Sequence, residues 1–212
     1  MKTILFDLDN TLLDRNTAYQ SWLQSMLASH MISPSSKEWE IILQKDNWGY
    51  TSRYIFYKWL CVTYQLPYSV PQLIEKGAKE IHLFISPVNQ EVIALLKQLQ
   101  NTYQIGIVTN GGSINQRNKL NSSKITSFFK KEAIFISSEI GYSKPDINYY
   151  RYIENTLQKT SDMFVIVGDD PINDIKGGTD AGWKTVWLNK GRITTIKSDY
   201  SINSIIDLIN IF

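Results

Sequence analysis

Five short apolar runs punctuate the chain, at 3–8, 104–108, 133–136, 164–167 and 185–188, rich in Ile, Val and Phe and without polar alternation. Strands apolar on both faces belong in a parallel sheet covered by helices. The segments between the later runs carry helical spacing, as in Ile147, Tyr150, Ile153 and Leu157. The pattern predicts an α/β fold: a Rossmann-like, parallel, five-stranded sheet flanked by helices.

The helix covering the second strand is predicted to begin at Ser86-Pro87, a cap residue followed by a proline suited to the first turn, and to bury Val88, Val92, Leu95, Leu96 and Leu99. Residues 14–85 remain, far more than the roughly 30 residues of a strand–helix–strand crossover. They read as helical: Ala18, Trp22, Leu23, Met26 and Leu27 share a stripe, while Ser35 with Glu38 and Ser69 with Gln72 form capping boxes. Trp22, Trp39, Trp48 and Trp59 all fall there. The expected organisation is a catalytic core of 1–13 and 86–212 interrupted by an all-helical cap of 14–85.

Composition narrows the class. The 212 residues are 43% hydrophobic and 20% charged, and no window reaches the run of about 18 apolar residues a membrane helix requires. The first residues meet an acidic side chain, Asp7, before an apolar segment of signal-peptide length forms. A cytoplasmic protein without a membrane partner is expected. Twenty-two basic and twenty acidic residues leave a net charge of +2, with no basic cluster beyond Lys130-Lys131, so no nucleic-acid partner is expected. Cys61 stands alone and reads as a buried structural thiol, and His30 and His82 lack companions at ligand spacing.

The polar residues that follow the strands suggest chemistry. Asp7 and Asp9 close the first run, and the period of an extended chain points both carboxylates the same way, beyond the carboxyl end of the sheet where open α/β folds bind ligands. Two carboxylates so close repel unless a cation joins them or they share a proton. Alone, such a pair is commonplace in turns. Three other strand ends carry Thr109-Asn110-Gly111, Lys144-Pro145 and Gly168-Asp169-Asp170. Each has a plain reading as cap, loop or turn. Together they supply a nucleophile, an acid/base, a hydroxyl with amides, a cation and a further carboxylate, the parts of a phosphoryl-transfer site. No Walker-type loop is present, and Gly177, Gly178 and Gly182 do not follow the dinucleotide pattern; close helix packing is their expected role.

In Asp7-Leu8-Asp9-Asn10-Thr11, Val108-Thr109-Asn110-Gly111, Lys144-Pro145-Asp146 and Gly168-Asp169-Asp170-Pro171-Ile172-Asn173-Asp174, taken in order, the chain resembles the haloacid dehalogenase superfamily over nearly its whole length. The resemblance implies a phosphatase with an aspartyl-phosphate intermediate on Asp7 and Asp9 as acid and then base. It also implies Thr109 and Lys144 around the transferring group, with Asn10, Asn110 and Gly111 in the phosphate site. Mg²⁺ would be held by Asp7, Asp9 through its backbone carbonyl and Asp169, with Asp174 either a ligand or a support behind the ligands, and segment 14–85 would be a lid. Dehalogenases of the superfamily lack the second aspartate, so Asp9 favours phosphoesters. The stretch 174–189 is similar to nucleotide 5'-phosphatases and N-acylneuraminate 9-phosphatases. The expected partner is a small phosphate ester, a nucleoside monophosphate or sugar phosphate, on a monomer or homodimer. A phosphosugar mutase, a receiver-like signalling domain and a catalytically silent binding protein are the competing readings.

Overall fold

The computed structural model describes residues 1–49 and 51–212, with the Trp48 side chain outside the described set. The chain divides into two compact units, Met1–Asp14 with Ser86–Phe212, and Arg15–Ile85. Each is built around its own apolar cluster.

In the first unit a parallel sheet holds β1 (Thr3–Phe6), β2 (Gln104–Thr109), β3 (Ile134–Ile136), β4 (Phe164–Gly168), β5 (Lys184–Leu188) and β6 (Tyr200–Ile202), in the order β3-β2-β1-β4-β5-β6. The strand that carries Asp7 is therefore central, with β2 and β4 on either side. Its neighbours end in Thr109 and Gly168, so the polar residues after all three strands converge on one edge. Five strands were expected; there are six among the described residues. Strand β6, at the edge beside β5, carries no hydrophobic run, because it buries only Ile202 and leaves Tyr200 and Ser201 exposed.

The first strand is also shorter than its apolar run. The ladder gives way after Phe6, although the Asp7 amide still donates to the Val167 carbonyl at 2.8 Å. Leu8 is fully buried on its own account. Asn10 then turns in the left-handed region at φ 60°, and Asp9 bridges Leu13.

Leu5, Val108, Phe135, Phe164 and Ile166 of the sheet pack with Tyr149, Tyr150, Ile153, Ala181 and Trp183. Tyr149, Tyr150 and Ile153 belong to a helix at Ile147–Leu157, which starts at an Asp146 cap whose side chain accepts from the Asn148 amide at 2.9 Å. The buried stripe is displaced from the predicted one: Ile147, in the first turn, is 39% exposed, and Glu154 is buried because it accepts from the Trp183 indole at 2.8 Å. The helix expected from Ser86 begins instead at Gln90, capped by Asn89, whose side chain accepts from the Val92 amide at 2.9 Å. Asn89 sits three residues before that amide, the capping separation, whereas Ser86-Pro87 precedes it by too much.

Two of the three glycines expected to serve packing do so. A Cβ on Gly177 would lie 2.3 Å from the Tyr150 hydroxyl, and one on Gly178 2.6 Å from Ile166 Cγ2. Gly182 has another cause: its φ of +80° places it in the left-handed region, which glycine adopts without strain.

The second unit is all-helical, with helices at Arg15–Ala28, Ser36–Asp46, Arg53–Tyr64 and Val70–Glu80. Both capping boxes, Ser35/Glu38 and Ser69/Gln72, are formed. Its core joins Tyr19, Trp22, Leu23, Phe56, Tyr57, Leu60 and Leu73. Cys61, expected to be buried, is half-buried at the margin of this cluster, because its face of the Arg53–Tyr64 helix is shared with solvent. Among the described residues, no helix is long and apolar enough to cross a membrane.

Candidate active site

Asp7 is the centre of the arrangement. One carboxylate oxygen accepts from Lys144 Nζ at 2.8 Å and the other from the Thr11 hydroxyl at 3.0 Å. Lys144 also donates to Asp174 at 2.6 Å and to the Val108 carbonyl at 3.0 Å, with its side chain 2% exposed. All three donor positions of the ammonium are thus filled. Burial opposes the charge on Lys144, but the carboxylates of Asp174 and Asp7 outweigh it and hold its pKa well above the ordinary lysine range. Two buried carboxylates therefore face one buried cation.

Asp174 reaches this position from a tight helical turn at Pro171–Lys176 that follows β4. Its second oxygen accepts from the Asp170 amide at 3.0 Å. Asp170 opens the turn, and its carboxylate accepts from the amides of Ile172 and Asn173. Gly168 leaves the necessary space, since a Cβ there would lie 2.2 Å from the Asp174 carboxylate.

Asp169 completes an acidic cluster. Single ligand atoms from Asp7, Asp169 and Asp174 all lie within 4.8 Å of one another. Burial, with the charge of Asp7 acting in the same direction, pushes Asp169 up to about 6, against the pull of Arg192. Burial, opposed by Lys144 and reinforced by Asp174 and Asp9, pushes Asp7 up to about 7. Lys144 and Arg192 do not fully offset this burial and mutual repulsion, and a hard divalent cation with oxygen ligands supplies the missing charge. The donor set fits Mg²⁺.

Asp9 is held separately. Lys119 Nζ lies 2.7 Å from each of its carboxylate oxygens, and Gln116 Nε2 donates to Oδ2 at 3.1 Å. The same Gln116 amide donates to the Thr109 hydroxyl, and Thr109 is 1% exposed. The second strand-end loop is thereby tied to the first.

Asn110 and Gly111, expected in the phosphate site, also tie the loops around it together. The Asn110 side chain brackets the Lys144 backbone, donating to its carbonyl at 2.8 Å and accepting from its amide at 2.9 Å. The Gly111 amide donates to the Ser137 hydroxyl at 2.9 Å. These groups build the loops that carry Thr109 and Lys144. The Asn10 carbonyl accepts from Lys190 at 2.7 Å.

Four residues around these groups were given no role by the sequence, although Thr11 stands in the first motif. Thr11 orients Asp7, Gln116 and Lys119 hold Asp9, and Arg192 pairs with Asp169 at 3.1 Å. A sequence signal existed for one pair. The helix at Ser113–Ser122 has no apolar stripe, exposes Ile114 and buries Gln116, Lys119 and Leu120. A helix that buries a glutamine and a lysine must place their polar atoms on partners.

The chain matches the haloacid dehalogenase-like hydrolase family over residues 4–188. The magnesium-bound structure of the HAD-hydrolase YfnB from Bacillus subtilis superposes with a TM-score of 0.85 at 27% identity, covering 99% of this chain and 97% of that one. In sequence, YfnB is 36% identical over 121 residues, which is 55% of this chain and 51% of YfnB, so that match spans about half of the relative. Human N-acylneuraminate-9-phosphatase is 27% identical over 230 residues, 98% of this chain and 92% of that protein. The pyrimidine 5'-nucleotidase YjjG of Escherichia coli is 34% identical over 98 residues, 46% of this chain and 43% of YjjG. A family match over most of the chain, together with a shared fold along its whole length, makes this protein a member of the haloacid dehalogenase-like hydrolases.

Proposed function

We propose that this protein is a magnesium-dependent phosphomonoesterase that hydrolyses a small phosphorylated metabolite, a nucleoside monophosphate or sugar phosphate, through an aspartyl phosphate on Asp7. The observation that carries the reading is the buried Asp7 carboxylate, aimed by Lys144 and Thr11 in the midst of Asp169 and Asp174. Phosphatase names among the relatives support the reaction class. The all-helical unit is, on this reading, the inserted cap.

In the first step an Asp7 oxygen attacks phosphorus, the bond from phosphorus to the ester oxygen breaks, and Asp9 delivers a proton to the departing alkoxide. In the second step water attacks the phosphoryl group, Asp9 takes its proton, and the bond to Asp7 breaks to release phosphate. Lys144 offsets charge on Asp7 and on the incoming phosphoryl oxygens throughout, and the Thr109 hydroxyl is available to the same oxygens. The carboxylates of Asp7, Asp169 and Asp174, with the Asp9 backbone carbonyl that the family pattern adds, would hold Mg²⁺, which when bound supplies positive charge against the phosphoryl oxygens.

The test is phosphate release from nucleoside monophosphates, sugar phosphates and p-nitrophenyl phosphate, in Mg²⁺ and in EDTA, by the wild type and Asp7→Asn. Release that needs Mg²⁺ and disappears in Asp7→Asn is expected. A wild type that releases phosphate from none of these esters, or an active Asp7→Asn, would overturn the proposal.

A further inference from the structure

The attachment of Asp9 is more elaborate than a general acid/base requires. Lys119 spends its ammonium on both Asp9 oxygens at 2.7 Å while its side chain is only 4% exposed, almost as buried as Lys144. A lysine buried to that degree is costly unless its charge is matched by a carboxylate. Gln116, 1% exposed, lies one helical turn before Lys119 on the same face, and its amide spans Asp9 Oδ2 and the Thr109 hydroxyl. Gly111, at φ +137°, keeps the loop clear of that glutamine: a Cβ there would approach its Cδ to 3.2 Å. Backbone conformation, loop packing and two buried polar side chains thus converge on the orientation of one carboxyl group.

We infer that Lys119 and Gln116 are positioning residues for Asp9, fixing the plane of its carboxyl group so that proton transfer to the leaving oxygen occurs from one geometry. The inference rests on the phosphoesterase reading above. Proton transfer of this kind contributes on the order of 10²–10⁴-fold when the group is correctly placed. The contribution depends on the leaving group: an alkoxide departs only with a proton, whereas p-nitrophenolate departs without one. Asp9 misplaced by loss of its holder therefore penalises alkyl phosphates selectively.

The experiment compares kcat/KM for an alkyl phosphate turned over by the wild type with kcat/KM for p-nitrophenyl phosphate, in Lys119→Met and Lys119→Arg, in saturating Mg²⁺. This constant covers steps up to the first irreversible one, so it isolates departure of the leaving group from the later hydrolysis common to both esters. The ratio of the two constants is independent of how much of a variant is folded. Lys119→Met is expected to lose on the order of 10²-fold on the alkyl ester, with a loss at least about tenfold smaller on the aryl ester. Lys119→Arg is expected to recover part of the ratio by restoring a cationic donor. Gln116→Leu, which introduces no unpaired charge, shifts the ratio in the same direction by less and serves if Lys119→Met does not accumulate. Equal losses on both esters in the Lys119 variant, or in Gln116→Leu in its place, would overturn the positioning role while leaving the phosphatase reading intact. A wild type inactive on both esters would sink that reading instead.

Discussion

Replacing Gly168 with alanine tests the construction of the acidic cluster without touching any of its charges. Gly168 does not occupy the left-handed region, so alanine is allowed by its backbone. If backbone freedom alone mattered, the substitution would stabilise the protein by about 0.4–1 kcal/mol through the unfolded chain. The structure demands the opposite sign. The new methyl would lie 2.2 Å from Asp174 Cγ and Oδ2 and 2.5 Å from Asp174 Cβ. A flexible end could swing away; a Cβ moves only with its backbone, so the Pro171–Lys176 turn must shift. Overpacking of this kind costs about 1–3 kcal/mol. The displaced carboxylate also loses its place on Lys144 at 2.6 Å, and breaking a buried ion pair costs about 3–5 kcal/mol when no relaxation offsets it. The two effects share one movement and do not add fully, which leaves a net loss of about 3 kcal/mol or more. At about 2–4 °C per kcal/mol for a chain of this size, Tm should fall by about 6–12 °C. Urea unfolding and a thermal scan in metal-free buffer measure it. A Gly168→Ala protein as stable as the wild type would refute the argument, because Asp174 could not then be where the structure has it.

Metal and pH should be linked. Asp7 and Asp169 have folded-state values raised to about 7 and about 6, chiefly by burial, so in metal-free protein their stabilising contribution is complete below the ordinary aspartate value and is lost as pH rises through 6 to 7. Mg²⁺ requires the ionised carboxylates, so its stabilising effect should grow between pH 5 and pH 8; equal Tm increments from Mg²⁺ at both ends would contradict this. Gly177→Ala should destabilise the core unit by about 1–3 kcal/mol through its approach to the Tyr150 hydroxyl, and Tyr150→Phe should recover part of the loss in a double-mutant cycle; strict additivity would count against that contact. Leu60→Ala, at a fully buried position of the helical unit, should cost about 2–5 kcal/mol, read from protection of helical-unit amides in hydrogen exchange.

The resident chemistry of each strand was legible wherever a strand is buried on both faces. β1, β2, β4 and β5 announce themselves as apolar runs because strands covered on both faces by helices are built mainly of apolar residues, with a few buried threonines among them. The capping boxes at Ser35 and Ser69 were equally legible, since both halves of the device lie within four residues. Edge strand β6 was not: unlike the opposite edge strand β3, whose three residues are all buried, it exposes Tyr200 and Ser201 and so carries almost no pattern. The start of the Gln90–Gln100 helix was misplaced because Ser86-Pro87 and Asn89 offer the same signal, and only the course of the chain chooses between them.

Around Asp7 the division follows the same logic. Local sequence placed Asp7, Asp9, Thr109, Lys144 and Asp169 at strand ends, and a parallel sheet with β1 in the middle brings such ends together, although Lys144 follows β3 only after a short helix at Ser137–Ile140. Which side chain holds which could not be read from the chain: Lys144 lies 137 residues from Asp7 and Lys119 110 from Asp9. Lys119 and Lys144 are both lysines in polar surroundings as sequence. Only the tertiary structure buries them, sets Lys119 on Asp9 and Lys144 on both Asp7 and Asp174, and uses the Asn110 side-chain amide and the Gly111 backbone amide to support the loops. Backbone propensity and burial pattern act over a few residues and are written locally; the pairing of buried charges depends on distances set by the whole sheet, and no local pattern encodes them.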